Sequence, residues 1–256
     1  MQTTRKPTSN WLLTVSRKMV LCATLAAAVA GSWLVSSASA EIINLSITNP
    51  SFETPTLADG DYSFDLSGWS QWADHGSGFA IVANPDTAAY SSGSPAQGSN
   101  MLAINAQANS ALGFVVYQNI PVTLVSGTIY TLTVAIGNRI SGHATDNFKI
   151  ELDAHDGSGN SILARYDGLG SSLTADSWTD KTISYTATAA DAGKTLTIFL
   201  GVDTAAKTYS QVTDFDNVRL TSAPIPEPGT ITLLAAGLLA CAWRNRRSAC
   251  QPSRTK

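Results

Sequence analysis

The sequence predicts an all-β body, a two-sheet antiparallel jelly-roll sandwich flanked by an N-terminal signal helix and a short C-terminal transmembrane helix. Three observations carry the prediction. Large apolar residues alternate with small ones: Tyr130, Leu132, Val134 and Ile136 are separated by Thr131, Thr133 and Ala135, the period of a strand with one buried face. Turn formers punctuate these runs, as in Asp156-Gly157-Ser158-Gly159-Asn160 and Asp191-Ala192-Gly193-Lys194, where Gly and Asp accept the dihedrals a reversal needs. No stretch between the two ends shows a helical period, and strands at such short spacing stack as two sheets.

Taken in order, the chain opens with Arg5, Lys6, Arg17 and Lys18 ahead of an apolar segment at 19–35, closed by Ala38-Ser39-Ala40. A basic front, an apolar centre and small residues at the exit are the parts of a secretory signal peptide, so signal peptidase is expected to remove residues 1–40 and leave Glu41 as the first residue. The body, 41–222, begins with an apolar run at 42–48 and Asn49-Pro50-Ser51-Phe52-Glu53. Further alternating runs centre on Phe148, Ile150 and Leu152, on Ile183 and Tyr185, and on Leu196, Ile198 and Leu200. It closes with Asp214-Phe215-Asp216-Asn217-Val218-Arg219-Leu220. The tail, 223–256, strings together Pro224, Pro226 and Pro228, an apolar run at 231–243, and Arg244, Arg246 and Arg247. The prolines make a stiff connector that ends the fold. The apolar run would reach about 20 Å as a helix against about 30 Å of hydrocarbon, a short span whose arginines stay on the cytoplasmic side.

Charge divides the chain as sharply as hydropathy does. The whole chain carries a formal charge of −3, but residues 41–222 hold 18 acidic residues against 7 basic ones, a net −11. Such a body repels nucleic acid and anionic lipid, whose recognition needs Lys and Arg against phosphate. Cys22, Cys241 and Cys250 all fall outside it. An exported domain without a disulfide restrains its loops in some other way, and bound metal is the usual one.

Candidate site residues follow from that. Alternation along the closing strand sets Asp214, Asp216, Val218 and Leu220 on one face and Phe215, Asn217 and Arg219 on the other. If Val218 and Leu220 face the core, Asp216 is expected to enter it too, and a carboxylate there needs a partner or a cation. Trp69 and Trp72 stand three apart on a strand and point to opposite sides, one into the core and one outward. Trp72 and Tyr117 are the ligand-contact candidates; Tyr62, Tyr90 and Tyr209 could stack on sugar rings beside them, packing being the commoner role for any single one. His75, His143 and His155 show no metal-binding spacing. The stretch Asp153-Ala154-His155-Asp156-Gly157 lacks the recurrence of an EF-hand loop and reads as a hairpin turn. GxSxG, HExxH and phosphate-binding glycine loops are absent from the sequence.

Two resemblances add to this. Pro226-Glu227-Pro228, the Leu/Ala run and Arg244, Arg246 and Arg247 resemble the PEP-CTERM sorting signal. That resemblance implies recognition by the membrane peptidase exosortase, transient anchoring in the inner membrane, and a body released or displayed outside the cell among secreted polysaccharide. The residues Ser248 to Lys256 extend beyond the usual end of such a tail. NPSFE at the start, Pro95, Gly98 and Asn100 in the middle and DFDNVRL at the end resemble calcium-bearing carbohydrate-binding modules of galactose-binding-like jelly-roll form. The same set resembles the Stig cyclases, which use this fold for indole-terpenoid cyclisation. By likeness, Glu53 and Asp216 carry over as Ca²⁺ ligands, with oxygens from the 59–61 loop or Asn100 as further possibilities. Asp214 matches the carboxylate that acts as general acid in the cyclases, a role that calls for a desolvated, aromatic-lined surrounding.

The expectation drawn from all of this is a non-enzymatic, calcium-stabilised module, exported and sorted by its tail, that associates with extracellular polysaccharide. Its alternatives are a cyclase using Asp214 as the acid, and a structural surface protein without a ligand.

Overall fold

The computed structural model describes residues 40–73, 78–106, 114–140, 147–203 and 211–225, with Gly237 alone beyond them. The signal helix, the apolar run at 231–243 and the sorting residues Pro226, Glu227, Pro228, Arg244, Arg246 and Arg247 lie outside the described residues, as do His75, His143 and Tyr209. Among the described residues no helix is long and apolar enough to cross a membrane. Ala40–Ile225 form one compact unit.

Among the described residues twelve strands build it. They are β1 (Ile43–Leu45), β2 (Tyr62–Ser63), β3 (Ser70–Ala73), β4 (Gly78–Ala83), β5 (Met101–Ala106) and β6 (Phe114–Thr123), followed by β7 (Thr128–Asn138), β8 (Asn147–His155), β9 (Asn160–Gly168), β10 (Ser177–Thr186), β11 (Thr195–Asp203) and β12 (Gln211–Pro224). One sheet has seven strands in the order β10-β7-β12-β5-β4-β2 with β1 also on β12, the other five in the order β3-β6-β11-β8-β9. The alternating runs do what their period requires. Leu132, Val134 and Ile136 of the first sheet meet Ile150, Leu152, Ile198 and Leu200 of the second in one apolar core, and burial of that area is the main stabilising term. The Asp156 turn is the predicted hairpin: Asp156 Oδ1 accepts from Ser158 N and Oγ and from Gly159 N and joins β8 to β9.

The closing strand departs from simple alternation, and the departure makes the site. Asp216 pairs with Ala135, but the next paired residue is Arg219 with Thr133, so an extra residue is inserted there. Asn217 takes a φ of 47° and Val218 N bonds to Pro50 O at 2.9 Å instead of to β7. A bulge of this kind shifts the side-chain parity by one. Phe215, Val218 and Leu220 therefore all reach the core. The expected grouping of Asp216 with Val218 and Leu220 is corrected accordingly: Asp214 and Asp216 point to the outer face of the seven-stranded sheet, away from the core. They are nonetheless 1% and 0% exposed, because residues 84–100 fold back over that face.

Candidate functional site

Asp214 sits in the middle of a row that crosses five strands: Ile81 pairs with Ala103, Ala103 with Asp214, Asp214 with Gly137, and Gly137 with Trp178. The small residues on either side of it leave room for a cover. Tyr90 supplies it, stacked on Trp178 with ring centroids 5.1 Å apart. The Tyr90 hydroxyl and the Trp178 ring occupy the space that a Cβ on Gly137 would need, so glycine at 137 is what lets these rings approach the sheet. Asp86 sets the loop, its Oδ1 accepting from Ala88 N and Ala89 N. Asp176 holds the loop's far side through Ser91 N and Oγ.

Both Asp214 oxygens are engaged. Tyr90 Oη donates to Oδ2 at 2.7 Å, Arg139 Nε donates to Oδ2 at 2.7 Å, and Arg139 Nη2 donates to Oδ1 at 2.9 Å. The two-pronged guanidinium contact is the strongest form such a pair takes. Burial works against the Arg139 charge, but Asp214, with Tyr90 and Asp86 behind it, outweighs that and the guanidinium holds its proton above its ordinary range. Burial, then the Asp214 charge, pushes the Tyr90 phenol far above its usual value, so it remains a donor. Tyr90, for which packing was expected ahead of sugar stacking, is 1% exposed and bonded to the acid. Arg139 and Trp178 were not singled out from sequence. The available signal for Arg139 was scarcity, since it is one of 7 cations in a body with 18 carboxylates.

Asp216 and Glu53 meet along a seam where the first loop of the body packs on the bulge of β12. Asn49 closes that loop on Thr54, Phe52 buries against Trp69, and Pro50 O takes the Val218 amide. Glu53 accepts from the amides of Ser99 and Asn100, at 3.0 Å each to Oε1. Asp216 accepts from Gln97 N and Asn217 N, both at 2.6 Å. Burial pushes the Asp216 carboxyl up to about 7 against those amides, and the Glu53 charge adds to the rise. Asn100 turns its amide nitrogen to Phe52 O and Pro55 O, leaving its buried Oδ1 without a hydrogen-bond partner. Carboxylates and an unpartnered carbonyl oxygen are the donor types a hard divalent cation takes. Glu53, Asp216 and Asn100 are the residues that could hold Ca²⁺, while the 59–61 loop is tied to Asn84. Among the described residues no three His, Cys, Asp or Glu side chains cluster.

Trp72 and Tyr117 stand on the other side of the sandwich. Trp72, on the edge strand β3, is 53% exposed, whereas Trp69 is buried. Tyr117 stacks on Phe199 with centroids 5.5 Å apart. His155 bonds through Nδ1 to Asn160 Oδ1.

A buried carboxylate under an aromatic cover on a two-sheet antiparallel sandwich, with a second carboxylate pair where its first loop meets the closing strand, places the protein among the jelly rolls. The family follows. A model described as HpiC1 cyclase matches residues 43–221, most of the chain, and the protein belongs to that family. A second model, the PEP-CTERM protein-sorting motif, matches residues 224–247 and marks the chain for exosortase-dependent export. The sandwich is similar to the Stig cyclase Fisc from Fischerella sp. TAU in complex with (3Z)-3-(1-methyl-2-pyrrolidinylidene)-3H-indole, with a TM-score of 0.61 and 24% identity over 72% of this chain and 99% of that one. It is similar to an apo-form cyclase from Fischerella sp. with a TM-score of 0.60 and 25% identity, over 72% and 97% of the two chains. A Fischerella sp. TAU cyclase with 4-(1H-indol-3-yl)butan-2-one gives a TM-score of 0.58 and 24% identity, over 71% and 98%. The search of curated proteins gives no match. The expectation of a non-enzymatic module is thereby corrected, because the family that spans the body is one of cyclases.

Proposed function

We propose that the protein is an exported cyclase in which Asp214 delivers a proton to an unsaturated, indole-bearing substrate. The observation that carries this reading is the place of Asp214, the head of the closing motif in a cyclase-family body, buried beneath Tyr90 and Trp178. The indole ligands of the similar Fischerella cyclases support the substrate class. In the arrangement described, both carboxylate oxygens accept hydrogen bonds, so one donor must step aside and Asp214 must take up a proton from solvent before it can pass that proton to the substrate. Arg139, its side chain 23% exposed, has the room to step aside. Proton donation by a positioned acid contributes typically 10²–10⁴-fold to rate. The test is product formation from an isonitrile indole-terpenoid precursor. Asp214→Asn is expected to lower turnover at least ~100-fold with its fold intact; unchanged turnover would defeat the assignment.

Ca²⁺ held by Glu53, Asp216 and Asn100 would neutralise two neighbouring carboxylates and tie the first loop of the body to β12. It has a supporting role, since the ligands are used up in joining backbone segments. Exosortase would cut the tail near Pro226-Glu227-Pro228 after transient anchoring in the inner membrane, leaving the domain outside among extracellular polysaccharide. The exposed Trp72 beside Tyr117 supports association with that polysaccharide.

A further inference from the structure

The outer face of the five-stranded sheet is unlike the outside of an ordinary sandwich. Core residues on β6, β11 and β8 are Val116 and Ile120, Leu196, Ile198 and Leu200, and Ile150 and Leu152, so Val115, Tyr117 and Asn119, Thr197 and Phe199, and Glu151 and Asp153 point outward. Register aligns them in rows. Trp72 pairs with Val115, Tyr117 with Phe199, Phe199 with Glu151, Asn119 with Thr197, and Thr197 with Asp153. Outward residues of a flat sheet are wet, yet Val115, Thr197, Phe199, Glu151 and Asp153 are each under 9% exposed. The middle of the face is buried, with Trp72 standing clear at one edge.

The middle of the face asks for donors. Asp153 is 4% exposed and its Oδ1 has no hydrogen-bond partner. A buried carboxylate oxygen left this way costs free energy that a ligand hydroxyl would recover. The cations are already engaged: Lys149 and Arg165 both pair with Glu151, and Arg165 also with Asp167. An anionic ligand finds acceptors where it needs free donors. A sugar ring has the matching chemistry, with an apolar face for aromatic stacking and a rim of hydroxyl donors.

We propose that this face is a second binding site, for a neutral polysaccharide chain whose rings stack on Trp72 and Tyr117 and whose hydroxyls donate to Asp153. It deepens the reading that the exported domain associates with polysaccharide, and it lies on the opposite face of the sandwich from Asp214. The site would hold the enzyme in the matrix without taking part in the chemistry.

The test is affinity electrophoresis of the full mature chain in gels containing xylan, a soluble glucan or galactomannan, with alginate as the anionic control. The wild type is expected to be retarded by a neutral glycan and not by alginate. Trp72→Ala, at an exposed position that the fold does not need, should weaken retardation at least tenfold, and Asp153→Asn should weaken it severalfold. Both should leave cyclase turnover unchanged. Retardation by no neutral glycan would overturn association with polysaccharide altogether. Retardation of the wild type that survives both substitutions would overturn this site alone, and retardation by alginate only would overturn the neutral ligand class.

Discussion

Arg139 and Tyr90 reach Asp214 from 75 and 124 residues away in sequence, and the three side chains stabilise one another only as a set. Replacing Arg139 by Met leaves a buried carboxylate without its counter-charge, a loss expected to cost about 2–4 kcal/mol. Asp214→Asn in the Arg139→Met background should recover part of it, and a double-mutant cycle by urea unfolding measures the coupling. Tyr90→Phe removes one donor and should cost about 1–2 kcal/mol. Gly98 makes a second residue-scale case. Its φ is +70° and the Glu53 carboxylate fills the space where a Cβ would stand. Gly98→Ala is therefore expected to displace Glu53, destabilise the fold by about 1–3 kcal/mol, and abolish any rise in melting temperature on adding Ca²⁺. A full calcium response in that variant would remove Glu53 from the ligand set.

At the scale of the element, β12 decides which residues reach the site. Its single bulge allows Asp214 and Asp216 to face outward while Phe215, Val218 and Leu220 face in. Deleting Asn217 would restore strict alternation and turn either the carboxylates inward or Val218 and Leu220 outward, and it is expected to abolish cooperative unfolding. Asn217→Gly, at a φ of 47°, should change stability by less than ~1 kcal/mol. Circular dichroism during urea titration separates the two outcomes. The strand pattern was legible in the sequence, as the alternation at 130–136, 148–152 and 196–200 maps onto β7, β8 and β11. The nearness of the first and last motifs was carried by resemblance, and the seam between Glu53 and Asp216 follows it. The bulge was not legible, because what fixes it is a bond from Val218 to Pro50 on a distant loop. The Asp214 cover was hidden for the same reason: nothing local to Tyr90 or Arg139 marks the strand they meet.

For the whole molecule, an acid-rich body without cysteine depends on how its buried carboxylates are neutralised. Burial, then the charge of Glu151, raises the Asp153 carboxyl to about 6, and burial above all raises Asp216 to about 7. Both groups keep in the fold a proton that the unfolded chain gives up near pH 4. The folded state thus binds more protons between pH 4 and 7, so stability of the chelated protein should decline as pH rises through that range, by a few kcal/mol in all. Asp153→Asn should flatten the part of the decline up to about pH 6, and Ca²⁺ should flatten the part that remains towards pH 7. Thermal melts at pH 4.5, 6 and 7.5, with chelator and with Ca²⁺, check both. A stability that climbs with pH in chelator would contradict the assignment of these groups.

The position of β12 also bears on what happens when the body is tugged. It runs between β7 on one flank and β5 then β1 on the other, and it is the strand from which the chain leaves at Ile225. Traction applied through that exit pulls along the axis of an interior strand, so its crosswise backbone bonds to both neighbours are strained together and must rupture as a group. An edge strand would peel one bond at a time. Force entering the body at that end would therefore meet bonds loaded side by side, which makes the larger sheet mechanically toughest where the chain leaves it.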